Sequence, residues 1–98
     1  MRVHLPHTLG KEEVRRRMRE RSHEIAGYFP AGMATIDTSW PDEDQMDLRI
    51  NAVGQRITGA IELYQDEVVI DLDLPPMLSF LRGTIERSVK TEGAKLLE

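Results

Sequence analysis

The residues of this chain that could carry out metal chemistry are few and stand apart from one another. Its three histidines are His4, His7 and His23, and it contains no cysteine. The spacing of His4 and His7 around Pro6 matches none of the established zinc patterns, in which cysteines or further histidines complete four ligands. The sequence therefore predicts surface or capping histidines, with no bound metal and no other cofactor.

Serines and carboxylates give no stronger signal for catalysis. The chain has no Gly-x-Ser-x-Gly sequence, and none of its serines has distinctive surroundings. Asp71 and Asp73 lie on the polar side of an alternating segment, where solvation is the expected state. The acidic stretch Asp42–Asp44 lacks the glycine-containing twelve-residue loop of a calcium-binding EF-hand. Because no nucleophile stands beside a base, we expect the protein not to be an enzyme.

A run of arginines is the polar feature that most suggests a binding surface. Residues 15–21 read Arg-Arg-Arg-Met-Arg-Glu-Arg. On a helix, Arg15, Arg16 and Arg19 could contact an anion, an RNA, a lipid headgroup or an acidic partner. They could equally form a solvated face with intrahelical ion pairs such as Glu13–Arg17. The sequence favours the solvated face and leaves contact with a partner as the alternative.

A group of apolar residues suggests a second possible contact surface. Four of them follow a pair of prolines and one precedes a proline: Met77, Leu78, Phe80, Leu81 and Trp40. They could contact a hydrophobic surface or a ligand. They could also belong to the core, with the tryptophan as an anchor at its edge, which is the more common role for such residues.

The elements that would position these residues are predicted mainly by alternation. Between Met33 and Leu74 almost every second residue is apolar, a period of two that is typical of strands with one buried face. Short turns between the segments indicate an antiparallel meander. Gly59, inside one segment, is predicted to mark a bulge or a bend. The predicted strands are Arg2–Leu5, which Pro6 should end, Met33–Trp40, Gln45–Val53, Gln55–Tyr64 and Glu67–Leu74.

Two helices complete the predicted domain. The first should span Lys11–Tyr28, with Thr8 or Gly10 as its N-cap, and the second Met77–Leu96, opened by a proline in its first turn. Gly83 should either weaken the second helix or let it approach the sheet. The order β-α-β-β-β-β-α predicts one α+β domain over residues 1–98, an antiparallel sheet with both helices packed on one face.

Charge is distributed unevenly along the 98 residues, whose net charge is −4. Residues 1–29 carry seven Lys or Arg against four Asp or Glu, whereas residues 30–80 carry two against ten. An acidic sheet repels phosphate backbones, which argues against nucleic-acid binding by the strands. No apolar run approaches the ~20 residues that a membrane span needs. With no cysteine, the composition fits a reducing compartment, and we expect a cytoplasmic protein of bacterial type.

Three stretches of the chain resemble a known family. They are Val3–Val14, Ile57–Leu63 followed by Val68–Leu74, and Leu78–Glu86. The first leads into the arginine-rich helix, and the last contains a basic residue, a glycine and an Ile-Glu pair in that order. Taken together over nearly the whole chain, they are similar to the polyhydroxyalkanoic acid system protein family, small bacterial proteins often associated with polyhydroxyalkanoate storage genes.

The resemblance implies a role in granule biology or polymer metabolism, and it supplies no catalytic residues. We therefore expect a non-enzymatic accessory or granule-associated protein. Its partners would be the polyhydroxyalkanoate granule surface, an acyl ligand or a protein of that storage system. The alternative is a small RNA- or ribosome-binding module that uses the basic first helix, although the acidic sheet weighs against it.

Overall fold

The structure, a computed structural model, describes residues 1–24, 34–52 and 54–97. Within them lie five strands and two α-helices, which occur in the predicted order β-α-β-β-β-β-α. A short 3-10 helix, Pro76–Leu81, precedes the second α-helix. The other elements are β1 (Arg2–Pro6), α1 (Lys11–Arg21), β2 (Ala34–Asp42), β3 (Gln45–Ala52), β4 (Gln55–Leu63), β5 (Glu67–Asp73) and α2 (Arg82–Leu96).

The strands form one antiparallel sheet in the order β1-β5-β4-β3-β2, which confirms the predicted α+β architecture. Strand β1 ends at Pro6, one residue beyond the predicted Leu5, and Pro6 itself lies opposite Glu67 in the ladder. An edge strand tolerates a proline because an amide that faces away from the sheet is not needed for pairing. The other edge strand, β2, continues past Trp40 to Asp42 through an irregularity in register between Ser39 and Asp42.

The alternating apolar residues of the strands share one face of the sheet. The register places Ile61 of β4 between Met46 of β3 and Ile70 of β5, and all three side chains are buried. The helices cover this face with apolar residues at helical spacing. Their buried residues are Val14 and Met18 from α1 and Ile85, Val89 and Leu96 from α2.

Gly59 lies in a regular ladder, so the predicted bulge at this position is wrong. It lies opposite Leu48 on one side and Leu72 on the other, with no shift in register. A Cβ atom at this position would lie 2.5 Å from the carbonyl oxygen of Asp71 and 2.7 Å from Cδ2 of Leu72. The absence of a side chain at Gly59 therefore allows β4 to pack closely against β5.

The close approach between α2 and the sheet occurs at Gly93 and not at Gly83. A Cβ atom at Gly93 would lie 2.5 Å from Cδ1 of Leu5, whereas one at Gly83 would have no neighbour within 4 Å. The prediction that Gly83 lets the helix approach the sheet is therefore wrong. Helix α2 meets the edge strand β1 at a residue without a side chain, which leaves room for the side chain of Leu5 against the helix backbone.

The predicted ends of the two helices need correction. Helix α1 ends at Arg21, and the predicted end at Tyr28 lies outside the described residues, as do Met33 and Val53. At the second helix, the segment before Arg82 is a 3-10 helix and not the predicted α-helix. The amide of Leu78 donates to the carbonyl of Pro75 at 2.9 Å, an i to i+3 bond that sets a period of three.

Candidate functional site

The 3-10 helix divides the apolar residues that follow the two prolines into an inner and an outer set. Leu78 is 2 % exposed and Leu81 packs against the core, whereas Met77 is 72 % and Phe80 74 % exposed. Three residues per turn align side chains at i and i+3, so each set forms its own row along the helix. Met77 and Phe80, hereafter the apolar pair, thus present a thioether and a phenyl ring to solvent on one side.

The apolar pair lies at the end of the sheet where β3 turns into β4. The side-chain amide of Gln55, the first residue of β4, lies 3.8 Å from the sulfur of Met77. Gly54, with a φ of 73°, forms the tight turn next to it. The rigid φ of Pro75 and Pro76 and the buried Leu78 fix the 3-10 helix against this end of the molecule.

Trp40 lies at the opposite end of the sheet, near the β2–β3 turn. It is partly buried against the core, and the guanidinium of Arg19 lies 4.3 Å from its ring centroid. The eight residues of β3 separate the two turns, which is roughly 25 Å at the usual rise of a strand. Trp40 and the apolar pair therefore do not form one surface, although the sequence grouped them as possible contact residues.

Arg15 joins α1 to the acidic turn between β2 and β3. Its Nη2 donates to Oδ1 of Asp44 at 2.7 Å, its Nε donates to the carbonyl of Glu43 at 2.8 Å, and Nζ of Lys11 lies 3.2 Å from Oδ2 of Asp44. The hydrogen bond to Asp44 raises the pKa of Arg15. Hydrogen bonds from Arg15 and Lys11 lower the pKa of Asp44. We call Lys11, Arg15 and Asp44 the Asp44 cluster.

The remaining arginines of α1 also have partners within the molecule, and Arg17 reaches α2, where its Nη1 donates to the carbonyl of Leu96 at 2.9 Å. Arg16 forms ion pairs with Glu13 and Glu20 on the exposed side of the helix. The predicted pair between Glu13 and Arg17 is present at 3.8 Å. Arg15, Arg16 and Arg19 thus all have partners within the fold.

Sequence reasoning could not find the Asp44 cluster. About thirty residues separate Asp44 from Lys11 and Arg15, and no local pattern links them.

The three histidines have separate roles. His7, 8 % exposed, accepts a hydrogen bond at Nδ1 from the amide of Leu9, and its Nε2 lies 3.2 Å from the carbonyl of Tyr64. The His7 ring therefore caps the amide of Leu9 from a buried position and does not lie on the surface. His4 pairs with Glu67 at 2.7 Å on an exposed strand, and His23 is exposed. The described residues include no group of three or more side chains suited to a metal ion.

Two of the concave surfaces formed by the described residues differ in the character of their lining. One is an open cleft of about 470 Å³ between β1 and the end of α2, lined by Leu5, Pro6, His7, Thr8, Ala94 and Leu97. The other is a shallow depression of about 490 Å³ on the sheet face opposite the helices. Its charged lining residues are Asp47, Arg49, Glu62, Asp71 and Asp73. The first surface is largely apolar and the second is acidic.

Comparison with known proteins assigns the family. A family model described as polyhydroxyalkanoic acid system protein matches residues 1–97. The chain belongs to this family. No curated protein and no solved structure matches it significantly. Membership confirms the resemblance carried by the three stretches of sequence, and it identifies the chain as a polyhydroxyalkanoic acid system protein. Among the helices that the structure describes, none is long and apolar enough to span a membrane.

Proposed function

We propose that this polyhydroxyalkanoic acid system protein is a non-enzymatic accessory protein that contacts the hydrophobic surface of the storage granule through Met77 and Phe80. The observation that supports it is the exposure of both side chains on one side of a helix whose other side, through Leu78, is anchored in the core. Contiguous exposed apolar side chains mark surfaces that bind proteins, ligands or membranes.

The free energy available from such a contact is substantial. Transfer of a Met or Phe side chain from water to an apolar environment is worth roughly 1.5–3 kcal/mol when burial is complete. Because the prolines and the buried Leu78 already hold the 3-10 helix in place, little conformational entropy is lost when its outer side meets a surface. The two side chains together could therefore hold the protein on a polymer surface reversibly.

A sedimentation assay with washed polyhydroxybutyrate particles tests the proposal. We expect the purified protein to co-sediment, and the double variant Met77→Ser, Phe80→Ser to bind at least about tenfold more weakly, since each lost transfer free energy exceeds ~1.4 kcal/mol. Tyr64→Ser is the matched control, because Tyr64 is also an exposed large apolar residue but lies elsewhere, beside His4 and Glu67. Undiminished binding by the double variant would contradict the proposal.

The cleft between β1 and α2 supports a second candidate, the binding of an acyl ligand. Its volume of about 470 Å³ lies in the range of small-ligand sites, and Leu5, Ala94 and Leu97 supply an apolar lining. Titration with a medium-chain fatty acid, followed by NMR, distinguishes the two candidates. An acyl chain in the cleft would shift the resonances of Ala94 and Leu97 and leave those of Met77 and Phe80 in place.

Binding of RNA or ribosomes by the basic first helix stays a prediction. The internal partners of Arg15, Arg16 and Arg19 make it the weaker candidate, since each contact would have to be exchanged for a phosphate. Fluorescence anisotropy with a labelled RNA provides the test. Binding that depends on salt and is lost in the Arg16→Glu, Arg19→Glu variant would support the RNA-binding role.

A further inference from the structure

The segment that carries the apolar pair has no carboxylate. Asp73 and Glu86 are the acidic residues on either side of it, and the twelve residues between them contain none, in a chain with 17 Asp and Glu. Arg82 begins α2 two residues after Phe80, and Arg87 follows within the next two turns. The segment is thus both the most apolar exposed part of the described chain and locally cationic.

The two arginines differ from the lysines of α2 in their ion pairing within the described part of the chain. Arg82 and Arg87 are exposed and form no ion pair, and the only side-chain hydrogen bond described for either joins Nε of Arg87 to the carbonyl of Gly83 at 3.4 Å. The lysines farther along α2 differ, because Lys90 pairs with Glu86 and Lys95 with Glu92.

The charges of Arg82 and Arg87 lie close to the apolar pair because few residues separate them along the chain. At about 1.5 Å per residue in an α-helix and about 2 Å in a 3-10 helix, Arg87 lies within roughly 12 Å of Phe80 along the axis. Arg87 is about half a turn away from the buried Ile85, which places it on the solvent side of α2. Aromatic and sulfur-containing side chains beside unpaired arginines resemble the composition of segments that insert at lipid–water interfaces.

We propose that Met77, Phe80, Arg82 and Arg87 form one adsorption surface for an anionic lipid layer, with the apolar pair among the acyl chains and the guanidinium groups on the phosphates. This inference rests on the proposed function and states the chemistry of the surface that is contacted. Arginine suits phosphate because its planar fork donates two parallel hydrogen bonds. The 3-10 helix is too short to span such a layer but long enough to place two side chains below the headgroups.

Vesicle flotation at low salt tests this inference. We expect the protein to bind vesicles of phosphatidylcholine mixed with phosphatidylglycerol more tightly than vesicles of phosphatidylcholine alone. The variant Arg82→Gln, Arg87→Gln should bind the anionic vesicles roughly 10- to 30-fold more weakly, the loss expected for two arginines near a charged membrane surface. Its binding to neutral vesicles and to bare polyhydroxybutyrate particles should not change.

A charge-matched variant serves as the control. Arg49→Gln, Arg56→Gln changes the net charge equally, but both residues are exposed on the sheet strands β3 and β4 and form no described ion pair. An equal loss of binding in this control would show a general charge effect and overturn the inference, as would equal affinity for the two kinds of vesicle. If the protein binds bare particles but does not prefer anionic vesicles, the inference is wrong and the proposed function still stands. If neither is bound, the proposed function fails as well.

Discussion

At the scale of single residues, the missing side chain of Gly59 controls how closely β4 and β5 pack. We expect Gly59→Ala to lower the free energy of unfolding by about 1–3 kcal/mol, because the new methyl group meets the backbone oxygen of Asp71 at 2.5 Å. A carbonyl in a ladder cannot move aside without disturbing its neighbours. Urea unfolding followed by circular dichroism measures the change.

Gly83 provides the matched control for this substitution. A Cβ atom there meets nothing within 4 Å, so Gly83→Ala should raise stability by up to about 1 kcal/mol through the smaller conformational entropy of the unfolded chain. The two glycine substitutions are therefore predicted to act with opposite signs. Equal destabilisation by both would show that the close contact at Gly59 does not determine the effect.

The sequence could not have separated these roles of glycine. A glycine within a strand fits a bulge, a bend or a close approach equally well, and only the three-dimensional neighbours distinguish them. His7 shows the same limit. Its sequence neighbours suggested a surface or capping position, but its burial results from a partner, Tyr64, that lies far away in the chain.

At the scale of elements, the 3-10 helix predicts a sharp contrast between two apolar positions that a single residue separates. Leu78→Ala should cost about 2–5 kcal/mol, since it removes a fully buried side chain from the core. Phe80→Ala should change the free energy of unfolding by less than about 0.5 kcal/mol, since the ring is exposed. Thermal unfolding of both variants tests the contrast, and a large cost for Phe80→Ala would mean that the ring packs inward.

The Asp44 cluster predicts a pH dependence of the docking between α1 and the β2–β3 turn. Hydrogen bonds from Arg15, which contributes more, and from Lys11 lower the pKa of Asp44 in the folded state. The stabilisation is therefore present above the ordinary carboxyl pKa, about pH 4, and is lost as the pH falls through the lower folded value. The difference in melting temperature between the wild type and Asp44→Asn should be largest near neutral pH and vanish in acid.

Asp66→Asn is the control for this experiment, because Asp66 lies in the exposed turn between β4 and β5 and forms no described ion pair. Its melting temperature should follow that of the wild type at every pH. Added salt should also reduce the effect of Asp44→Asn, since the cluster is partly exposed and therefore screened. A constant difference from acid to neutral pH would contradict the assignment.

Elements differ in how well the sequence predicts them. Strands β2 to β5 were predictable because an alternating pattern over seven to nine residues identifies a period of two clearly. The stripe that contains Val14 and Met18 identified α1 in the same way. The 3-10 helix was not predictable, because six residues cannot distinguish a period of 3.0 from one of 3.6. The exposure of Met77 and Phe80 depends on that small difference in period, so the outer row could not be separated from the inner one in advance.

At the scale of the whole molecule, the position of a strand in the sheet predicts the protection of its amides. Strand β4 has a neighbour on each side, whereas β2 and β1 lie at the edges. We expect the slowest hydrogen exchange around Ile61, whose side chain is also buried, and fast exchange of those β2 amides that point away from β3. Uniformly slow exchange along β2 would reveal a partner strand on that edge.

The overall architecture was predictable because the number of alternating segments and their short turns leave few possible topologies. The placement of charges on that architecture was not. Charges at Asp47 and Asp71 come from separate strands and share a surface only because of the register. Residue composition showed that the strands are acidic, but the fold decides that the carboxylates gather on the side away from the helices.

The open acidic face has a consequence for copies that attach to a particle through their helix side. Their sheets would point outward, so a coated particle would be covered by a shell of carboxylates. Two such shells repel each other, most strongly at low ionic strength. The protein would then act as a dispersant that slows the coalescence of neighbouring particles.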